Sequence, residues 1–145
     1  MAASCSVPRV SRRTFQTSDG VALSVLEAGR EHSGDRLLKI VFVPGWSMPA
    51  TLWRNQLEAL GGSYHVLALD PRGQGESQVP PAGYTAERRA ADLSELLQPL
   101  SNVLLVGWSL GAIESLQYVQ MFGADRLAGL VLVDSSVGEE PAPPP

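Results

Sequence analysis

Five residues near the middle of the chain, Gly107-Trp108-Ser109-Leu110-Gly111, have the types and spacing of a displayed nucleophile. They directly follow an unbroken run of valine and leucine at 103–106, which is typical of a strand buried on both faces. Gly107 and Gly111 lack the Cβ atoms that would clash where a strand turns straight into a helix. Ser109 can therefore lie at the apex of a strained turn with its hydroxyl exposed, an arrangement that indicates acyl-transfer chemistry.

Three further segments stand in order around this pentapeptide, and with it they resemble the α/β-hydrolase family. Upstream are the strand and turn Val41-Phe42-Val43-Pro44-Gly45-Trp46 and then the loop Asp70-Pro71-Arg72-Gly73-Gln74-Gly75-Glu76-Ser77, which matches D-x-R-G-x-G-x-S. Downstream is the strand Leu130-Val131-Leu132-Val133-Asp134. The resemblance covers about residues 14–136. It implies an α/β fold in which a mostly parallel sheet carries helices on both faces and ends after the sixth strand.

The resemblance also implies the roles of the residues around the serine. Ser109 would be the nucleophile, and the backbone N–H groups of Leu110 and Trp46 would hold the oxyanion. Pro44 stands where family members often have a histidine that braces this turn. That departure removes the side chain but leaves the backbone donor available. The loop that begins at Asp70 is expected to be structural rather than catalytic.

The other members of a catalytic triad are not matched in the chain. The family's histidine follows its eighth strand, whereas His32 and His65 both precede the serine and match no catalytic position. Asp134 stands where some members supply the acid, and a carboxylate that organises its own loop is the alternative interpretation. Trp108 either lines an apolar substrate pocket or simply contributes to packing.

The type of nucleophile narrows the predicted reaction. Epoxide hydrolases and haloalkane dehalogenases of this family use aspartate at the position of Ser109, so the serine favours hydrolysis of an ester, lactone, thioester or C–C bond, or a cofactor-free perhydrolase. Among these reactions, the sequence interpretation favours hydrolysis of a small-molecule carboxylic ester. No metal or organic cofactor is implied, since one cysteine and two histidines show no ligand spacing. The alternative from another class is a non-catalytic ligand-binding or interaction protein, or an inactive fragment, that keeps the hydrolase architecture.

Alternating strands and helices must position these residues. The sequence predicts an antiparallel hairpin around Ser18-Asp19-Gly20, then strands at about 37–43, 65–69, 103–106 and 127–133. It predicts helices at about 49–60, 85–97 and 110–122. In the last helix, Ile113, Leu116 and Met121 are expected on the packing side. Parallel strands joined by helices collect their chemistry at the carboxyl edge of the sheet.

The length of 145 residues predicts one domain, with a disordered terminus at 1–13, a hydrolase core at 14–137 and a Pro-rich tail at 138–145 where a lid would begin. A net charge of -4 argues against a nucleic-acid partner. The longest apolar runs are too short to cross a membrane, and no secretory signal is recognisable at the amino terminus, so a cytoplasmic location is expected. The apolar last strand is expected to expose an edge that promotes self-association.

Overall fold

The computed structural model describes residues 6–135, which contain six strands and three α-helices. The strands are β1 (Ser11–Gln16), β2 (Ala22–Ala28), β3 (Lys39–Val43), β4 (His65–Asp70), β5 (Val103–Trp108) and β6 (Leu127–Val133). The helices are α1 (Arg54–Leu60), α2 (Ala86–Leu97) and α3 (Leu110–Phe122). Two short 3₁₀ turns, Arg30–His32 and Ala50–Trp53, precede β3 and α1 respectively. The predicted order of elements is therefore confirmed.

All six strands form one sheet in the order β1-β2-β4-β3-β5-β6. Strands β1 and β2 form the predicted hairpin, and β2 also pairs antiparallel with β4. The other four strands are parallel, with β3 at their centre between β4 and β5. The carboxyl ends of β3, β4, β5 and β6 therefore share one edge, and the candidate site residues follow those ends.

The core lies on both faces of the sheet because neighbouring residues of the buried strands point to opposite sides. On one face Val41 and Leu105 contact the layer formed by α2 and α3, in which Leu93 and Leu97 are buried. On the opposite face, Ala50 of the second 3₁₀ turn and Leu57 of α1 pack against the sheet. The strand side chains that they contact there are Ile40, Phe42, Val66 and Ala68. The prediction of helices on both faces is confirmed.

The fold begins earlier in the chain than residue 14, where the sequence predicts its start. Residues 11–13, predicted to be disordered, form the first half of β1 and pair with β2. Arg12 anchors this strand because its guanidinium donates to the Asp70 carboxylate at 2.6 Å and to Ser24 Oγ. The sequence did not predict this part of the strand because Ser11, Arg12 and Arg13 are all polar. Ladder hydrogen bonds to β2 and the ion pair with Asp70 hold it in place. The predicted tail at 138–145 and the boundary at 137 lie outside the described residues.

The packing face of α3 also differs from the prediction. Ile113 and Met121 are 48% and 42% exposed, whereas Glu114, Ser115 and Tyr118 are buried. The helix is apolar around most of its circumference, so hydrophobic periodicity does not single out one face. The close approach of the backbone at Gly111 and the burial of Glu114 decide the orientation instead.

Strand β6 lies at one edge of the sheet within residues 6–135, and Val131 and Val133 are each 39% exposed there. None of the helices in that part of the chain is long and apolar enough to span a membrane.

Candidate active site

Ser109 occupies the turn between β5 and α3 in a strained backbone conformation. Its φ of 53° and ψ of −116° place a non-glycine residue at positive φ, which few residues adopt without a structural demand. The Ser109 N–H donates to the Val133 carbonyl at 2.8 Å, which ties the turn to the end of β6. Strand, strained serine and helix are thus arranged as the sequence predicts.

The two glycines that flank Ser109 are required by contacts with backbone atoms. A Cβ on Gly107 would lie 2.4 Å from the Gly111 carbonyl oxygen, where α3 folds back over β5. A Cβ on Gly111 would lie 2.3 Å from the carbonyl oxygen of Val43 and 2.6 Å from that of Pro44. These separations are far inside van der Waals contact, so the start of α3 can approach β3 only if position 111 has no side chain.

The turn after β3 lies directly beside the serine. A Cβ built on Gly45 would be 3.4 Å from Ser109 Cβ and 3.9 Å from Ser109 Oγ. Trp46 follows in the same turn, and Leu110 is the first residue of α3, where an N–H has no intrahelical acceptor. Within residues 6–135 neither amide donates to a backbone carbonyl outside a helix or strand. That these two amides bind an oxyanion stays a prediction.

The turn is held by a side chain that the sequence did not single out. Gln74 is 8% exposed, and its Nε2 donates to the carbonyl oxygens of Gly45 at 3.0 Å and Met48 at 2.9 Å. A brace is thus present although Pro44 replaces the histidine often found in the family. The only sequence signal was the position of Gln74 inside the D-x-R-G-x-G-x-S loop.

A buried ion pair continues from Gln74 to the helix behind the serine. Arg89 Nη1 donates to Gln74 Oε1 at 3.3 Å and to Glu114 Oε1 at 2.8 Å. Burial raises the pKa of the Glu114 carboxyl, and the neighbouring Arg89 guanidinium opposes that rise. Glu114 is therefore a buried residue whose carboxylate is paired with Arg89.

Asp70 and Arg72 serve the architecture of the loop after β4, as predicted. The Asp70 carboxylate is fully buried and accepts from the Ala50 N–H at 2.6 Å and the Glu76 N–H at 3.2 Å, besides Arg12. Arg72 is equally buried and bonds Asp92 through Nε at 2.6 Å and Nη2 at 2.7 Å. The charges of Asp70 and Arg72 are thus paired with other residues of the fold, which supports their structural interpretation.

Asp134 follows β6 with a φ of 52° and is exposed. It stands next to Val133, whose carbonyl accepts the Ser109 N–H, so the residue lies at the same edge of the sheet as Ser109. Within residues 6–135 its carboxylate has no hydrogen-bond or ion-pair partner given by the structure. Its role as the acid stays a prediction.

Two tryptophans flank the serine in different surroundings. Trp108 is half-buried and meets the edge of Trp53 at 6.4 Å between ring centroids, which supports the packing interpretation. Trp46 is 71% exposed. It borders a cavity of about 90 Å³, whose other lining residues are Ser47, Arg72, Gly73, Gln74, Tyr84 and Arg89.

Neither histidine is near Ser109. His65 begins β4 at the amino edge of the parallel strands, the edge opposite the serine, and its Nε2 lies 3.0 Å from Glu27 Oε2. That contact lowers the pKa of the Glu27 carboxyl despite its burial. His32 follows β2, whose end pairs with the beginning of β4, so it lies at the same remote edge. The structural interpretation of both residues agrees with these positions.

Comparison with known proteins points in the same direction as the geometry. Residues 40–145 match the model of the "Alpha/beta hydrolase family". The chain is 34% identical over 125 residues to the non-heme chloroperoxidase of Streptomyces lividans, covering 84% of this chain and 44% of that protein. It is 35% identical over 118 residues to epoxide hydrolase A of Mycobacterium tuberculosis, covering 78% of this chain and 35% of that protein.

A solved structure supports the fold. The esterase from Exiguobacterium antarcticum superposes with a TM-score of 0.75 at 29% identity, covering 86% of this chain and 45% of that structure. The chain thus spans less than half the length of these proteins. The relatives include peroxidases, epoxide hydrolases and esterases, so they agree on architecture and differ in reaction. The strand order, the serine turn and the match over residues 40–145 together show that the chain belongs to the α/β-hydrolase family.

Proposed function

We propose that the protein containing this chain is a serine hydrolase that cleaves carboxylic esters of small molecules, or related acyl bonds, through an acyl-enzyme on Ser109. The observation that carries this proposal is the strained backbone of Ser109 at the carboxyl edge of β5, directly beside the turn that contains Gly45. A Cβ on Gly45 would lie 3.9 Å from Ser109 Oγ. Acyl transfer requires a nucleophile and oxyanion donors. We assign the first role to Ser109 and the second to the N–H groups of Trp46 and Leu110, which within residues 6–135 donate to no backbone carbonyl outside a helix or strand.

In the proposed reaction Ser109 Oγ attacks the acyl carbon while a histidine accepts the hydroxyl proton. The carbonyl oxygen becomes an oxyanion held by the Leu110 and Trp46 amides, and the bond to the alcohol then breaks as the histidine returns the proton. Water repeats the attack on the acyl-enzyme and releases the acid. Each oxyanion donor is worth about 2.7–4 kcal/mol of barrier lowering in a comparable site.

The base of this reaction is proposed to come from the part of the protein that corresponds to the unmatched length of the relatives. His32 and His65 lie at the opposite edge of the sheet and cannot reach the serine. The 145 residues alone are therefore expected to hydrolyse esters poorly, since loss of the base costs several orders of magnitude in rate. Asp134 remains a candidate for the acid because it follows β6 beside the serine turn.

Epoxide hydrolysis fits the site less well than ester hydrolysis, although one relative is named an epoxide hydrolase. Attack of a serine hydroxyl on an epoxide would form an ether, which water does not readily hydrolyse. A carboxylate nucleophile instead forms an ester that can be turned over. Ser109 therefore favours acyl substrates over epoxides.

Perhydrolysis is a second candidate reaction, favoured by the similarity to non-heme chloroperoxidases. Hydrogen peroxide can attack the same acyl-enzyme in place of water, and the products are then a peracid and free Ser109. The two reactions share every residue named above. They differ only in the molecule that accepts the acyl group.

The experiment uses the protein encoded by the complete gene and p-nitrophenyl esters of increasing acyl length, with and without hydrogen peroxide. Ser109→Ala is expected to abolish both ester hydrolysis and peracid formation, and Ser101→Ala serves as the matched control because its hydroxyl binds only the distant Asp35 carbonyl. Hydrolysis that survives Ser109→Ala would refute the proposal. An unmodified protein that binds these esters without turnover would favour the non-catalytic alternative.

A further inference from the structure

We propose that Gln74 is a positioning residue that sets the direction of the oxyanion-binding N–H of Trp46. The inference rests on the proposed function, because it concerns the donors of the same site. It deepens that proposal by assigning a role to a buried polar chain that the reaction itself does not use.

The argument begins with the peptide bond between Gly45 and Trp46. The carbonyl of Gly45 and the N–H of Trp46 belong to one planar trans unit, so they point in opposite directions. Gln74 Nε2 donates to that carbonyl at 3.0 Å. Fixing the carbonyl against Gln74 therefore fixes the direction of the Trp46 N–H, which must point away from Gln74. The peptide unit begins at Gly45, where a Cβ would lie 3.9 Å from Ser109 Oγ.

The second contact of the same amide removes the remaining freedom of the turn. Gln74 Nε2 also donates to the Met48 carbonyl at 2.9 Å, three residues after Gly45, and the Met48 N–H itself donates to the Gly45 oxygen at 3.3 Å. Both ends of the turn are thus bonded to one side chain. Rotation of the Gly45–Trp46 peptide would break the bonds that the Gly45 oxygen accepts.

The orientation of the Gln74 amide is itself determined by its partners. Its Oε1 accepts from Arg89 Nη1 at 3.3 Å. If the amide were reversed, its oxygen would face two carbonyl oxygens and its NH₂ group would face a guanidinium, so all three favourable contacts would become repulsive or unsatisfied. The arrangement therefore admits only one orientation of the donor.

The chain continues to the helix that carries the other oxyanion donor. Arg89 bonds Glu114 Oε1 at 2.8 Å, and Glu114 lies in α3 one turn after Leu110. Arg89 and Glu114 are 7% and 4% exposed, so water does not loosen the connection. One buried series of bonds thus joins the two elements whose amides must converge on the oxyanion. Preorganised donors of this kind are what lowers the barrier, since they do not reorient during the reaction.

The test replaces the donor while keeping the shape of the side chain, in the protein encoded by the complete gene. Gln74→Met and Gln74→Glu both remove the NH₂ group, the first with a neutral chain and the second with a carboxylate that still attracts Arg89. Gln78→Met is the matched control, since Gln78 lies in the same loop but is exposed, and the one bond that its side chain makes within residues 6–135 is accepted from the Ala22 N–H. The measurements are kcat and KM on an ester, thermal stability, and inhibition by a trifluoromethyl ketone and its parent methyl ketone.

Outright loss of an oxyanion donor costs about 10²–10³-fold in kcat, so misdirecting one is expected to cost on the order of 10-fold or more. KM should change little, because the ground-state carbonyl makes weaker use of the donor than the transition state does. The trifluoromethyl ketone forms an oxyanion on Ser109 and should lose affinity by about the same factor as kcat. The parent ketone should bind as before.

Three outcomes would overturn the inference. A folded Gln74 variant with unchanged kcat and unchanged ketone selectivity shows that the amide does not direct the donor. Equal loss of affinity for both ketones shows general loosening of the site rather than misdirection of one N–H. If the unmodified protein has no activity that depends on Ser109, the proposed function itself fails, and this result is distinct from the other two because it appears before any change at Gln74.

Discussion

Replacement of Gly111 by alanine tests whether the start of α3 must touch β3. The added Cβ would lie 2.3 Å from the Val43 carbonyl oxygen, about 1 Å inside ordinary contact, and 2.6 Å from that of Pro44. Neither atom belongs to a flexible side chain. One carbonyl ends a central strand and the other begins the turn beside Ser109, so relief of the overlap must move backbone.

The expected cost follows from this geometry. Overpacking in a well-packed interior costs about 1–3 kcal/mol, and occasionally more, even when side chains can adjust. Because only backbone can adjust at this position, Gly111→Ala should lower the free energy of unfolding by about 3 kcal/mol, at the upper end of that range. Activity that depends on Ser109 should fall as well, since α3 must move away from the turn that contains Trp46.

Urea unfolding of Gly111→Ala and Gly62→Ala measures this cost against a matched control. A Cβ on Gly62 would find its nearest neighbour, Pro8 Cγ, at 3.7 Å, which is ordinary contact. The control should therefore change the free energy of unfolding by no more than about 0.5 kcal/mol. If Gly111→Ala unfolds at the same urea concentration as the control and keeps the same activity, the close approach of α3 to β3 is refuted.

Three further results are expected. Arg72→Met removes the two hydrogen bonds that Arg72 gives the buried Asp92 carboxylate and leaves it only Arg88 as an ionic partner, so the free energy of unfolding should fall by about 3 kcal/mol, the lower end of the range for breaking a buried pair. Exposed Arg36→Met should change it little, and equal urea midpoints for the two variants would contradict this. The hydrogen bond from His65 lowers the pKa of the Glu27 carboxyl in the folded protein, so ionised Glu27 stabilises the fold. This stabilisation is complete above the usual glutamate pKa of about 4.3, and it is lost as the pH falls through the lowered pKa of the folded protein. Glu27→Gln should therefore make the unfolding free energy less dependent on pH on the acid side, and parallel profiles would count against it. The 145-residue chain should self-associate through the edge of β6, so a monodisperse monomer in size-exclusion chromatography would argue against an exposed edge.

The parts of the fold that sequence reasoning predicted correctly are those with a local chemical signal. The valine and leucine run before Gly107 marks a buried strand, and Ser18-Asp19-Gly20 marks a hairpin turn. The structural role of Asp70 followed from the family motif rather than from its surroundings. In each case the deciding residues are close together in the chain, so their pattern can be read without knowing the fold.

The parts that were missed depend on partners distant in sequence. Arg12 extends β1 because it reaches Asp70, and Arg89 buries Glu114 from a different helix. A polar residue of this kind looks solvent-facing until its partner is known. The brace at Gln74 was missed for the same reason, since its acceptors are backbone carbonyls that carry no sequence signal.

The central claim, that Ser109 is an activated nucleophile, is tested most directly by mapping a fluorophosphonate adduct in the protein encoded by the complete gene. After labelling and proteolysis, mass spectrometry should find the adduct on the peptide that contains Ser109, and Ser109→Ala should abolish it. Ser115→Ala should retain the adduct, because that hydroxyl is buried and bonded to the Gly111 carbonyl. An adduct on another residue, or labelling that Ser109→Ala leaves unchanged, would contradict the assignment.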